Sequence, residues 1–339
     1  MKFILYASIL LLPLSSLCEV NGHKILNHYL KVHPVNTWDY DWTTAIFLYG
    51  AKSFMKPQFI REAHSILLKK APVIITPDLA SMSLTEDPQM RLLTKRFFDT
   101  EPLNEIGTID HVGKRHALNF LVPSSIWADS MMMYILNGLR NFPEKKEFFL
   151  NQIYIFDRFL KDKKTGLYKH SYHIKSQSLY PQGVSWGRGN MWMSLGMIEI
   201  LGDLDQKDPH HQKIKDLFIQ HVDSLVRYAD SDRGLHTLIE DKDSYLESSA
   251  TALLAYVLLK GRRLNLLDST YEKVSRDMTT AAEGFLRVIN EQEISVEGIS
   301  GPTTAFKYPF YYKYLVRPRS NESYGVGAFL LLSAELQRR

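Results

Sequence analysis

The chain is poor in the features that staple, span or ligate. Cys18 is its one cysteine, so it forms no disulfide within itself. Once an N-terminal leader is removed, thiol nucleophiles and zinc–thiolate sites are excluded. Past the N-terminus no apolar run approaches the length of a membrane span. His-Glu-x-x-His, an EF-hand loop, a phosphate-cradling glycine-rich loop and a Gly-x-Ser-x-Gly elbow are all missing. Their absence removes the common metalloprotease, calcium, nucleotide and serine-hydrolase readings, and no metal or cofactor is called for. Neither sign of charge dominates: 41 Lys and Arg against 37 Asp and Glu leave a net +4. That balance is too small and dispersed for nucleic acid, yet compatible with an acidic substrate.

What the chain does have is a leader followed by helices. Lys2, the apolar Phe3 to Leu14 and the zone Ser15-Ser16-Leu17-Cys18 read as an export signal over residues 1–22, ahead of a single domain over 23–339. The expectation is a periplasmic or secreted protein, and the bulky Leu17 argues against lipid attachment at Cys18. Hydrophobic residues make up 45% of the chain and aromatics 12%, enough for a large core. Apolar residues fall at helical spacing over 42–54, 58–70, 125–141, 145–160, 190–204, 211–228, 245–260, 269–290 and 324–336. Short hairpins on one rim are expected around 166–172 and 303–315. About a dozen helices with no dividing linker predict an all-α toroid of helical hairpins around a central cleft. The lack of a visible repeat counts against an α-solenoid.

The densest chemistry lies in Trp186-Gly187-Arg188-Gly189-Asn190-Met191-Trp192. Indoles offer an apolar face to a sugar ring, a guanidinium forks onto a carboxylate, and glycine lets a backbone approach a ligand closely. Together they describe a pocket for a sugar bearing an acid; the bland alternative is a glycine-kinked helix start around a core tryptophan. In Pro123-Ser124-Ser125-Ile126-Trp127-Ala128-Asp129-Ser130, a carboxyl stands at the mouth of an apolar helix. Apolar surroundings raise such a pKa and make a proton donor, unless Asp129 merely suits the positive first turn. Thr165-Gly166-Leu167-Tyr168-Lys169-His170 leads from a glycine turn into a histidine, a weak signal alone, as is His116. The stretch 243–249 reads as a helix cap, with Ser244 capping and Glu247 reaching back. Gly325 and Gly327 point to close helix packing.

Taken in order with Trp38-Asp39-Tyr40-Asp41-Trp42, Tyr245-Leu246-Glu247-Ser248-Ser249 and Tyr324-Gly325-Val326-Gly327, these motifs resemble the unsaturated glycuronyl hydrolases of glycoside hydrolase family 105, relatives of family 88. The resemblance runs from about Trp38 to the C-terminus. It implies an (α/α)6 barrel. It also implies removal of the 4,5-unsaturated uronic acid that polysaccharide lyases leave at the non-reducing end of rhamnogalacturonan or pectin-type oligosaccharides. The reaction implied is hydration of the C4=C5 double bond, with Asp129 protonating C4 and assisting water addition at C5. Asp78, in Thr76-Pro77-Asp78-Leu79-Ala80, would be the second acidic residue, holding the water or the sugar. His170 and Arg188 would contact the sugar or its carboxylate, and Trp127, Trp186 and Trp192 would be stacking walls. His116 matches a family histidine by position, with His111 its rival, and Tyr40 would line the pocket. The oligosaccharide is the one partner implied. Residues 84–116 are poorly patterned against the family, and Arg233-Gly234-Leu235-His236 lacks a tryptophan expected after the leucine, so the aglycone is open. Two alternatives stand beside this expectation: a family 88-like hydrolase of unsaturated glucuronyl glycosaminoglycan fragments, and a non-catalytic carbohydrate-binding protein on the same fold.

Overall fold

The computed structural model describes residues 19–114, 123–231 and 233–338. Its helices are α1 (Gly22–Val32), α2 (Trp42–Ala51), α3 (Pro57–Leu68), α4 (Pro77–Ala80), α5 (Pro88–Thr100) and α6 (Asn137–Asn141). They continue with α7 (Lys146–Leu160), α8 (Gly187–Asp203), α9 (His211–Tyr228), α10 (Ser248–Arg263), α11 (Glu272–Glu283) and α12 (Ser323–Leu336). Two burial patterns alternate along the chain. The odd-numbered helices bury one stripe and expose the other; α1, for example, buries Gly22, Ile25, Leu26 and Tyr29. By contrast, α8, α10 and α12 are buried almost all round, as are α2, the π-helical stretch Met131–Leu136 that runs into α6, and the 3₁₀ turn Ser81–Thr85 that follows α4. A helix apolar on every side needs cover on every side. The buried set therefore forms the inner ring and the amphipathic set the outer one, which is the expected (α/α)6 barrel.

The inner ring closes where α12 meets α2. A β-carbon on Gly50 would lie 2.1 Å from the carbonyl oxygen of Gly327, and one on Gly327 would lie 2.6 Å from that of Ile46. Only glycine permits that approach, as the tail motif suggested.

The inner helices all point their N-termini at one end of the barrel. Asp41 caps α2, Asp78 sits in the first turn of α4, and Glu247 caps α10 by accepting from Ser249 and Ala250 N–H. The cap of α10 is thus Glu247 itself and not Ser244. The opposite end is tied together by an ion-pair network. There Glu199 on α8 accepts from Arg140 at 2.9 Å and bonds Tyr256, Tyr49 and Lys260. Burial alone would raise its carboxyl, but Lys260 and Arg140 hold it to about 2.

Short strands decorate the N-terminal rim. β1 (Ser125–Trp127), β2 (Ser171–His173) and β3 (Ser178–Tyr180) form one antiparallel sheet. β4 (Leu286–Asn290) pairs with β5 (Glu293–Val296), and β6 (Ile299–Ser300) with β7 (Pro318–Arg319). Three expectations change. Residues 125–127 are strand because they pair with β2, so the helix expected over 125–141 begins only at Met131. The helix over 269–290 stops at Glu283 and gives way to β4. Residues 303–315 are the loop between β6 and β7, with a helical turn at Tyr311–Leu315 and no hairpin. Residues 20–22, assigned above to the leader, are packed: Val20 is buried, and Ser333 Oγ donates to its carbonyl while accepting from Gly22 N–H. Among the described residues no helix is long and apolar enough to cross a membrane.

Candidate active site

A cavity of about 540 Å³ opens at the N-terminal end of the inner ring, walled by Asp41, Trp42, Asp78, His111, Trp127 and Asp129, with residues 302–304 completing its rim. Each wall follows from local structure. Trp42 opens α2 and stacks on Tyr324, ring centres 4.8 Å apart. Thr76 caps α4 and Pro77 opens it, which turns Asp78 toward the open end. His111 rides a tight turn closed by Gly113 N–H to Asp110 O. Gly113 has φ +74°, and a β-carbon there would meet the carbonyl oxygen of Ile75 at 2.0 Å. Asp110 is itself anchored by Asn104 and Ser124. The turn therefore packs directly onto the segment carrying Asp78, and His111 Nε2 lies 3.5 Å from Asp78 Oδ1. Trp127 lies flat on His111, rings 4.2 Å apart at 15°.

The pairing of β1 with β2 is extended by Ala128 N–H donating to His170 O, which sets Asp129 beside His170. His170 Nε2 is 3.0 Å from Asp129 Oδ2. The other imidazole nitrogen, Nδ1, is 2.7 Å from the Tyr312 hydroxyl. That hydroxyl already accepts from Phe306 N–H at 3.0 Å, so its own proton is directed at His170 Nδ1. With the proton there, Nδ1 is the acceptor and Nε2 carries the ring N–H, close to Asp129 Oδ2 but without hydrogen-bond geometry to it. Beneath the imidazole lies Trp186, centroids 4.1 Å apart.

Of the three carboxyls that line the cavity, Asp78 and Asp129 are driven apart, while burial raises Asp41 against its bonds to Thr43 and Thr44. Burial, then the negative charges of Asp129 and Asp41, raise Asp78 well above the ordinary carboxylate range. Burial would also raise Asp129, as expected from sequence, but His170 and, less strongly, His111 reverse the sign and hold it below its usual value. Burial lowers His111 to about 4, so its ring is neutral near pH 7. Asp78 is therefore the harder of the two to ionise and Asp129 the easier. The expectation that Asp129 is the raised acid is corrected on this point.

Several residues chosen by type occupy other places. Arg188 is fully buried between the rings of Trp186 and Tyr324, and it donates to Ser300 O, Gly301 O and Thr303 Oγ1. Its fork is spent on the loop that rims the cavity, so it braces the pocket instead of meeting a substrate carboxylate. Trp192 belongs to the central core, and Trp186 backs His170 instead of forming an open wall. Gly189 makes room for the Trp186 ring and not for a ligand. Tyr40 points into the core, and its neighbours Asp41 and Trp42 line the cavity. His116 lies outside the described residues, and the histidine present in the wall is its rival, His111. Trp42, Thr303, Thr304 and Tyr312 were not read as site residues from the sequence. For Trp42 the signal was available, because the residue after an N-cap Asp shares an end with the other caps. Tyr312 had none.

If Tyr312 fixes the tautomer of His170, then Tyr312→Phe lets Nδ1 take the proton and turns a lone pair toward Asp129. The carboxylate then faces a lone pair instead of an N–H dipole, and its pKa rises. The expected result is a fall in kcat of about tenfold, the scale of one hydrogen bond to a charged network. The acid limb of the pH–rate profile moves to higher pH, and the melting curve changes little.

Residues 74–339 match the family described as Glycosyl Hydrolase Family 88. A stretch of 154 residues is 33% identical to the unsaturated rhamnogalacturonyl hydrolase YesR of Bacillus subtilis (strain 168), covering 44% of this chain and 44% of that protein. The chain thus spans less than half the length of that curated relative. A family 105 glycoside hydrolase of C. acetobutylicum ATCC 824 superposes with a TM-score of 0.79 at 18% identity, over 95% of this chain and 100% of that one. The unsaturated glucuronyl hydrolase of Bacillus sp. GL1, responsible for the degradation of glycosaminoglycan, gives 0.69 at 14%, over 94% and 97%. Identities this low speak for the shared barrel alone. The matched range takes in two of the three cavity carboxyls, Asp78 and Asp129, and nearly the whole inner ring, and the chain belongs to Glycosyl Hydrolase Family 88.

Proposed function

We propose that this protein is an unsaturated glycuronyl hydrolase that hydrates the C4=C5 bond of a terminal unsaturated uronate. The observation that carries this reading is that Asp78 and Asp129 face one cavity, with the first pushed toward its acid form and the second toward its carboxylate. Hydration of an enol ether needs an acid and a base at once. Neutral Asp78 gives its proton to C4 as a new C–H bond forms. Ionised Asp129 takes a proton from water as the oxygen adds to C5. The hemiketal so formed opens to a ketone at C5, and the hemiacetal left at C1 collapses to release the remaining sugar as an alcohol. No glycosyl-enzyme forms, so the carboxyl spacing rule of ordinary glycosidases does not apply.

The substrate class we favour is the rhamnogalacturonan type, supported by the 33% identity to a relative that carries that name. Export is part of the proposal. Packing of Val20 to Gly22 supports a cleavage that leaves these residues on the mature protein. The test follows the ultraviolet absorbance of the conjugated double bond in two purified disaccharides, unsaturated galacturonyl-rhamnose and an unsaturated glucuronyl glycosaminoglycan unit. Loss of absorbance on the first alone supports the full reading. Loss on the second alone moves the substrate to glycosaminoglycans, and binding with no loss on either would make this a carbohydrate-binding protein.

A further inference from the structure

Beside the cavity the loop between β6 and β7 exposes a run of large apolar side chains. Tyr308 is 52% exposed, Phe310 57%, Tyr314 54% and Leu315 59%, with Tyr311 at 38%. They stand exposed among the described residues, and so dense an apolar surface marks a binding surface on a monomer. The patch is held rigidly from below. Tyr312 is buried and bonded to both Phe306 and His170, Gln182 N–H donates to Lys307 O, and Lys313 bonds Asp241. Phe306 stacks on Tyr311 at 4.9 Å, and Phe310 packs on both Tyr311 and Tyr314. The same loop supplies residues 302–304 to the cavity rim, so along the chain the exposed rings follow directly on the rim.

That continuity selects the occupant. The cavity has the size of a small-molecule pocket, so a longer sugar chain whose end reacts there must leave across its rim. Exposed Tyr and Phe rings present flat apolar faces to the C–H faces of sugars, with phenolic hydroxyls at their edges. The Lys307 ammonium lies 5.3 Å from the Tyr308 ring centre, a cation beside the rings that suits a chain carrying acidic sugars. We propose that residues 306–315 form an aromatic shelf that binds the oligosaccharide beyond the reacting uronate. The shelf makes the protein favour long unsaturated oligosaccharides over disaccharides. This rests on the hydrolase function above.

The test is the variant with Tyr308→Ala, Phe310→Ala and Tyr314→Ala together, all on the surface and outside the catalytic groups. Its kcat/KM is compared with the parent on an unsaturated disaccharide and on an unsaturated oligosaccharide of the same polymer several residues longer. The expected result is an unchanged disaccharide value and a loss of about tenfold or more on the longer substrate, carried by KM. Equal losses on both, or no loss on the longer one, overturn the shelf. A parent dimer that the variant lacks, with unchanged kinetics, assigns the patch to self-association and also overturns it. If the parent turns over neither substrate, the hydrolase function fails separately. The shelf then stands or falls on calorimetric binding of the intact oligosaccharide: weaker binding by the variant supports it, and equal binding refutes it.

Discussion

Replacing Asp129 by asparagine lowers kcat/KM on the unsaturated uronide by about two to four orders of magnitude, the usual worth of a positioned general acid or base, while the barrel stays folded. Asparagine has the same shape, so the Trp127 and His170 walls remain. What disappears is the one carboxylate in the cavity that His170 and His111 keep ionised. Without it, water reaching C5 has no acceptor for its proton. The pH profile gives the assignment. In the parent, activity falls on the acid side as Asp129 takes up a proton, and in Asp129→Asn the residual rate no longer shows that limb. Stability moves as well. A carboxyl whose folded pKa is lowered contributes stability above its unfolded pKa and loses it as pH falls through the folded value. The variant therefore melts somewhat below the parent near neutral pH, and the difference closes in acid. Retained activity in Asp129→Asn would remove Asp129 from the chemistry altogether.

How much of this was legible in the sequence depends on how far each residue lies from its partner. The barrel was readable because all-round burial of α8, α10 and α12 leaves continuous apolar runs, while α7 and α9 keep helical periodicity. Helix α5 escaped notice because only Met90, Thr94, Phe97 and Phe98 are buried in a strongly charged sequence. Helix α1 was passed over although all of it but Gly22 lies beyond the assumed leader, because only Gly22, Ile25, Leu26 and Tyr29 are buried. At the site, Trp127, Asp129 and His170 were legible because short strands bring compact motifs together. Arg188 and Trp192 were misplaced because residue type does not state direction: the chemistry that binds a sugar acid equally well binds carbonyl groups or fills a core. The hydroxyl that sets the tautomer of His170 comes from Tyr312, 142 residues along the chain, and only the closed barrel reveals it. The division of protonation between Asp78 and Asp129 was hidden for the same reason, since it arises from neighbours that no local pattern contains.

That division makes the strongest test a second isosteric change. Asp78→Asn is expected to lower kcat/KM by the same two to four orders of magnitude, and to leave the opposite mark on pH and on stability. The parent loses activity on the alkaline side as Asp78 gives up the proton that C4 needs, and the variant's residual rate lacks that limb and keeps the acid one. Burial and the charges of Asp129 and Asp41 raise the folded pKa of Asp78, so its ionisation is resisted by the fold. A carboxyl of that kind leaves the protein at full stability below its unfolded pKa and weakens it as pH rises toward the folded value. Asparagine carries no such charge. The variant is therefore expected to melt above the parent at neutral and alkaline pH and level with it in acid, so that activity is lost while stability is gained. A merely structural role for Asp78 would lower both together, and thermal melts across pH beside the rate profile separate the two. Were Asp129 the protonated acid instead, the alkaline limb would vanish in Asp129→Asn and persist in Asp78→Asn, and the roles of the two carboxyls would exchange.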